Sequence, residues 1–126
     1  MITITDIAYT GYPVTNVARA RSFYEGLLGL KVATTFGEDG AEWIEYEIGG
    51  GTLAITNLSP EQWKPSKDGP GIAFEVADFS AAVSALRAGG ATFYSEPMES
   101  PGCRLVVVAD PDGNSVVLHQ RNAPAA

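Results

Sequence analysis

The sequence predicts an α+β fold made of two βαβββ modules related by a pseudo-twofold, forming a curved, cleft-enclosing mixed sheet with one helix outside each half. Three observations lead there. Asn16 and Asp78 are both placed as helix N-caps, 78 − 16 = 62 residues apart. Each is followed by apolar residues at helical spacing, Ala20, Phe23, Tyr24, Leu27 and Leu28 after the first, Phe79, Ala82, Val83 and Leu86 after the second. Finally, Asp110-Pro-Asp-Gly-Asn114 lies between two apolar runs and reads as the turn of a β-hairpin, with Pro111 presetting φ and Asp110 able to bond its own backbone two residues on.

Taken in order, Ile2 to Pro13 is rich in β-branched and aromatic residues and reads as a strand. Asn16 caps a helix of about three turns, with Arg19, Arg21 and Glu25 off its apolar face and Gly29 as its left-handed stop. Strands are expected at Lys31 to Phe36, Glu42 to Ile48 and Thr52 to Thr56, the last two joined through Gly49-Gly50-Gly51. Those glycines lack a following Lys-Ser or Lys-Thr, which makes them a hairpin turn rather than a phosphate loop. Residues 57–69, with Pro60, Trp63 and Pro65, form a connector. The pattern then restarts. Ile72 to Val76 is a strand, Asp78 caps the second helix, Gly89-Gly90 stops it, and strands follow at Thr92 to Ser95, Arg104 to Ala109 and Ser115 to Gln120. The expectation is one domain over 1–126, with module 1 at about 1–56 and module 2 at about 70–122.

Fifteen acidic against eight basic residues give a net charge of -7. Nucleic acid and anionic membrane need clustered Lys and Arg, so neither is an expected partner. The single cysteine, Cys103, excludes an internal disulfide and suits a reducing compartment. With no stretch of membrane-spanning length and no charged-then-apolar leader, the expected location is the cytoplasm.

Tyr12-Pro-Val-Thr-Asn-Val17 leading to Phe23-Tyr-Glu-Gly-Leu-Leu-Gly-Leu30, Phe74-Glu-Val-Ala-Asp78, and Asp110-Pro-Asp-Gly-Asn114 together resemble the vicinal oxygen chelate superfamily, the glyoxalase, bleomycin resistance and extradiol dioxygenase group. The resemblance implies a cleft for a small molecule and a homodimer, each cleft belonging to one chain or shared between two. It also implies metal-ligand positions on the first and fourth strands of each module, which fall at Tyr9, Ala54, Gly71 and Val117. Ala54, Gly71 and Val117 offer no side-chain donor, and a phenol alone is a poor ligand at neutral pH. The usual metal site is therefore expected to be missing.

Parity carries the reading from there, because successive strand residues face opposite sides. If Val117 faces the cleft, so do Ser115 and His119, with Val116 and Leu118 toward the helix. The same rule gives Thr52 and Thr56 on the fourth strand, Trp43 and Glu45 on the third, and Glu75 on the second module's first strand. The candidate ligand-binding set is Tyr9, Trp43, Glu45, Thr52, Thr56, Glu75, Ser115 and His119, with Tyr9, Glu75 and His119 as candidate catalytic groups and no metal ligands.

For each of these a plainer reading stands beside the functional one. Glu45 and Glu75 hold a cation or act as bases, or they are solvated carboxylates. His119 transfers protons or joins a displaced metal site, or is a hydrogen-bonded structural residue. Trp43 and Trp63 stack on a planar or cationic ligand, or serve as sheet packing and connector anchor. The first functional expectation is a glyoxalase/bleomycin-resistance-like binder of a small, cationic organic molecule that uses no cofactor. The alternative is a lyase, isomerase or dioxygenase-like enzyme, either metal-free or with a rearranged metal site.

Overall fold

The computed structural model describes Met1 and residues 3–122. It is a mixed α+β fold whose chain divides into two compact units, Met1–Pro65 and Ser66–Ala126. Among the described residues no helix is long and apolar enough to cross a membrane.

In the first unit β1 (Thr10–Pro13) leads to a helical segment, α1 (Val17–Arg21) continued by a π-helical stretch at Ser22–Leu27. Strands β2 (Val32–Glu38), β3 (Ala41–Ile48) and β4 (Gly51–Thr56) follow. The sheet order is β1-β4-β3-β2, with β1 parallel to β4 and the other pairs antiparallel. Asn16 caps α1 as expected, its side-chain oxygen accepting from the Arg19 amide at 2.9 Å. Between β2 and β3, Asp39 and Gly40 hold φ of 57° and 81°, the backbone that a two-residue hairpin matching strand twist requires.

Two local expectations need correction. The strand expected from Ile2 to Pro13 begins only at Thr10, while Ile2 itself lies outside the described residues. Strand β1 runs parallel to β4, with Thr10 opposite Leu53, and β4 starts at Gly51, so a longer β1 soon runs out of ladder partners whatever its propensity. Glu25, placed off the helix's apolar face, is instead drawn toward the sheet. Ser22–Leu27 is wound as a π-helix, closed by the Leu28 amide on the Phe23 carbonyl at 2.9 Å, and this wider turn changes which residues share a face. Phe23 and Tyr24 are buried while Leu27 and Leu28 are only half-buried.

Glu25 there accepts the Tyr46 hydroxyl at 2.8 Å and the Arg21 guanidinium at 2.6 Å. Tyr46 is fully buried, against the Tyr24 ring. Burial, and then Glu25, push the Tyr46 phenol above its ordinary value. The bond from Arg21 holds the Glu25 carboxyl below its ordinary value, against burial and with help from Tyr46.

The second unit has β5 (Ile72–Glu75), α2 (Phe79–Ala88), β6 (Thr92–Phe93), β7 (Met98–Glu99), β8 (Cys103–Ala109) and β9 (Ser115–Arg121). Its order is β5-β9-β8-β6, with β5 parallel to β9 and β7 also on β8. Asp78 caps α2 by accepting from the Ala81 amide at 3.0 Å. The strand expected at Thr92 to Ser95 is shorter, and the chain returns to β8 as a second short strand. Ser95 interrupts the ladder by accepting the Val107 amide on its hydroxyl at 3.0 Å, and Pro97 has no N–H to continue it.

The Asp110–Asn114 turn forms as read, Asp110 Oδ1 accepting from the Asp112 and Asn114 amides, each at 2.9 Å, and Gly113 taking φ 90°. It also does something not foreseen. Asn114, 2% exposed, accepts the Ser66 amide at 3.1 Å, so the hairpin turn pins the start of this unit.

Replacing Glu25 by Ala is expected to cost about 1–3 kcal/mol, because the Tyr46 hydroxyl is left buried and unpaired, against about 1 kcal/mol for Tyr46→Phe. The double variant should cost less than the sum, as read by urea unfolding. Because Glu25 titrates lower in the folded chain than in the unfolded one, its contribution is present above the ordinary carboxylate range. It is lost as pH falls through the folded value, so the Glu25→Ala deficit should shrink in acid.

Candidate functional site

In each unit the helix takes one face of the sheet, and the candidate residues are sorted by which face remains. In the first unit Leu53 and Ile55 of β4 and Ile44 and Tyr46 of β3 are buried on the helix side, where Tyr24 stacks with Tyr12. On the opposite face the register sets Gly11, Ala54 and Glu45 in one cross-strand row and Pro13, Thr56 and Trp43 in the next.

Three rings gather over that face. Tyr9 meets Trp43 edge-to-face, with centroids 4.9 Å apart at 88°. The Trp43 indole N–H donates to Glu45 Oε2 at 2.8 Å. Trp63, from the connector, brings its Cη2 and Cζ2 edge down onto Gly11, where a Cβ would lie 2.6 and 3.2 Å from them and 3.4 Å from Tyr9 Cε2. Ala54 is fully buried, yet Tyr9 stays 47% exposed and both indoles are half-buried.

The hydroxyls are engaged differently. Thr56 donates to the Glu42 carbonyl at 2.9 Å and accepts the Leu58 amide at 3.0 Å, closing the start of the connector. Thr52 donates to Glu47 at 2.8 Å.

In the second unit Val116 and Leu118 of β9 are buried toward α2, and Ser115, Val117 and His119 take the other face. Glu75 lies opposite His119, and its Oε1 is 2.6 Å from His119 Nδ1. Its Oε2 accepts the Arg121 amide at 2.7 Å. That amide first, and His119 second, hold the Glu75 carboxyl below its ordinary value. With the ring anchored through Nδ1, Nε2 is the atom left to exchange a proton with a bound molecule. Ser115 is turned elsewhere, donating to the Lys67 carbonyl at 2.7 Å.

The structure thus brings Tyr9, Trp43 and Glu45 together in the first unit and Glu75 with His119 in the second. Sequence reasoning named Trp63 only as a possible stacking ring or anchor. Its seat was signalled by Gly11, a glycine inside a strand, which commonly marks close approach of another group.

The residues do not fit the metal centre that the resemblance implies. Ala54, Gly71 and Val117 have no donor, Ala54 is sealed under side chains, and Tyr9 is packed against Trp43. Among the described residues no group of three or more His, Cys, Asp or Glu could hold an ion.

A family model described as Glyoxalase/Bleomycin resistance protein/Dioxygenase superfamily matches residues 6–118. None of the curated proteins matches the chain. Among solved structures, an antibiotic binding protein, TnmS3, from Streptomyces sp. CB03234 superposes with TM-score 0.78 at 22% identity, over 97% of this chain and 100% of that one. A glyoxylase/bleomycin resistance protein/dioxygenase domain from Frankia sp. EAN1pec gives 0.76 at 14% identity, covering 98% and 96% of the two chains. A glyoxalase family protein from Enterococcus faecalis gives 0.72 at 20% identity, covering 90% and 96%. At these identities the likeness is one of fold.

Titration of Glu75 by NMR is expected to give a midpoint below that of an ordinary glutamate. Since the Arg121 amide is the larger cause, His119→Ala should move the midpoint only part of the way back.

Proposed function

Since this chain belongs to the Glyoxalase/Bleomycin resistance protein/Dioxygenase superfamily, we propose that it binds a small, cationic organic molecule without the metal that family enzymes commonly use. The observation that carries this reading is the Tyr9–Trp43 ring pair with Glu45 on the Trp43 indole N–H. Ring faces attract cations through their quadrupole, and a carboxylate beside them adds a full negative charge. Glu45 Oε2 is held by the indole, which fixes the carboxylate and leaves Oε1 for a ligand ammonium. Net acidity favours encounter with a cation. The misfit of Tyr9, Ala54, Gly71 and Val117 to a divalent ion supports metal independence. That TnmS3 is an antibiotic binding protein agrees with a binding role on this fold.

A second reading is favoured by one specific contact. Glu75 orients His119 at 2.6 Å, an acid–base pair suited to a lyase or isomerase that moves a proton next to a carbonyl. In it the Glu75 carboxylate holds the imidazole and Nε2 does the proton transfer.

We also read the chain as one domain with an internal repeat, its modules at about 1–56 and 70–122, acting in the cytoplasm as a homodimer. The common strand order of the two sheets supports the repeat, family membership the dimer, and the single cysteine the compartment.

A thermal-shift panel of organic cations and their neutral counterparts, run with and without chelator, tests the first reading. A cation should raise the melting temperature regardless of chelation, and Glu45→Gln should weaken it by about three- to tenfold. Stabilisation by stoichiometric Zn²⁺, Mn²⁺ or Ni²⁺ would overturn metal independence, and unchanged cation affinity in Glu45→Gln would remove the carboxylate from the site.

A further inference from the structure

In the second unit the strand register builds one row across four strands, with charge at one end and carbon at the other. Glu75 stands opposite His119, His119 opposite Leu105, and Leu105 opposite Met98, and directly paired residues share a face of the sheet. The neighbouring row, Ala73, Val117 and Val107, is wholly apolar. Arg121, two residues beyond His119, falls on the same face and brings Nη1 to 3.9 Å from Glu75 Oε1. The other face belongs to α2: Val106, Val108, Val116 and Leu118 are buried there, and the Arg104 guanidinium lies over the Phe79 ring at 4.6 Å.

No residue of these two rows is sealed. Ala73 is exposed, Met98 is 46% exposed, and Leu105, Val107 and Val117 are half-buried, so a patch of branched and flexible carbon borders a charged edge. That edge is short of negative charge. Glu75 Oε2 accepts the Arg121 amide and Oε1 pairs with His119 Nδ1, so with His119 protonated one carboxylate serves two positive groups, and one further anion balances them. Both groups can receive it: Nε2 is the ring atom that Glu75 leaves over, and the Arg121 side chain is 77% exposed and ion-paired only with Glu75 among the described residues. The protein's net charge of -7 opposes an anion at long range, so an apolar body must carry much of the affinity. From His119 to Met98 the row crosses two strand spacings, ~9.5 Å, enough for an extended chain of about eight carbons.

We propose that the open face of the second unit binds an amphipathic monocarboxylate, its head between His119 Nε2 and the Arg121 guanidinium and its alkyl chain along Leu105 to Met98. The site uses the Glu75–His119 pair as a binding head, needs no proton transfer, and shares no residue with Tyr9, Trp43 and Glu45, so it does not depend on either reading above. Glu75 is a positioning residue: it holds the imidazole through Nδ1 and the strand end through the Arg121 amide. The aliphatic floor and the adaptable thioether of Met98 suit a flexible chain.

Isothermal titration with octanoate, butanoate and octan-1-ol tests this, with the Met98 methyl signal in NMR locating the chain. Wild-type protein is expected to bind octanoate about tenfold or more tightly than either of the others, since butanoate lacks the chain and octan-1-ol the charge. The Met98 methyl should shift as octanoate is added. His119→Gln and Arg121→Gln should each weaken octanoate by about three- to tenfold while leaving octan-1-ol within about twofold. Arg121 is exposed enough to carry that comparison if His119→Gln does not fold. Equal affinity for octanoate and octan-1-ol, or octanoate affinity unchanged in both variants, would mean a bare apolar patch with no carboxylate head and would overturn the proposal. So would a wild-type protein that does not bind octanoate, or one that binds it with the Met98 methyl unmoved.

Discussion

One geometric constraint governs the molecule: successive residues of a strand face opposite sides, and in each unit a single helix covers only one of those sides. Burial therefore sorts β3 and β4 into Ile44, Tyr46, Leu53 and Ile55 toward the helix, and sorts β9 into Val116 and Leu118. The residues between them are relieved of core duty. Trp43, Glu45, Glu75 and His119 all come from that second set, which is why aromatic and acidic groups can stand on a sheet without costing the fold its interior.

The helix side is not purely apolar. Tyr46, Glu25 and Arg21 form a chain of bonds at 2.8 and 2.6 Å that satisfies a phenol with no solvent access. A buried hydroxyl without such a partner is costly, and the π-helical stretch is what brings Glu25 within reach. A comparable economy appears in the Asp110–Asn114 turn, whose two side chains are 3% and 2% exposed and are bonded within the turn and to the Ser66 amide. With both Asp110 oxygens accepting N–H groups, this acidic turn is a structural clamp.

The hydrogen-bonding residues on the far faces separate into two kinds. Thr52, Thr56 and Ser115 direct their hydroxyls to Glu47, the Glu42 carbonyl and the Lys67 carbonyl, which ties them to the protein's own structure. Glu45 and His119 are each held through one atom, Oε2 or Nδ1, and each keeps a second atom for other chemistry. On the first unit's face the half-exposed ring of Tyr9 lies against Trp43, whose indole holds Glu45.

Much of this was legible in the sequence, since caps, turns and alternation are local properties. Asn16, Asp78 and Asp110–Asn114 act through bonds to residues two to four positions away, and parity assigned the faces of β3, β4, β5 and β9 once one residue was placed. Strand length was not legible, because the span of β1 depends on where β4 begins. Nor was the winding at Ser22–Leu27, which turns Glu25 toward a tyrosine 21 residues away. The sequence by itself determined the order of elements, the helix caps, the hairpin turn and the two-sided character of the strands. Only the tertiary structure decided that Trp63 stands on Gly11 and that Glu75 takes His119. Both contacts join residues more than forty positions apart, brought together by connector path and sheet register, which local spacing does not encode.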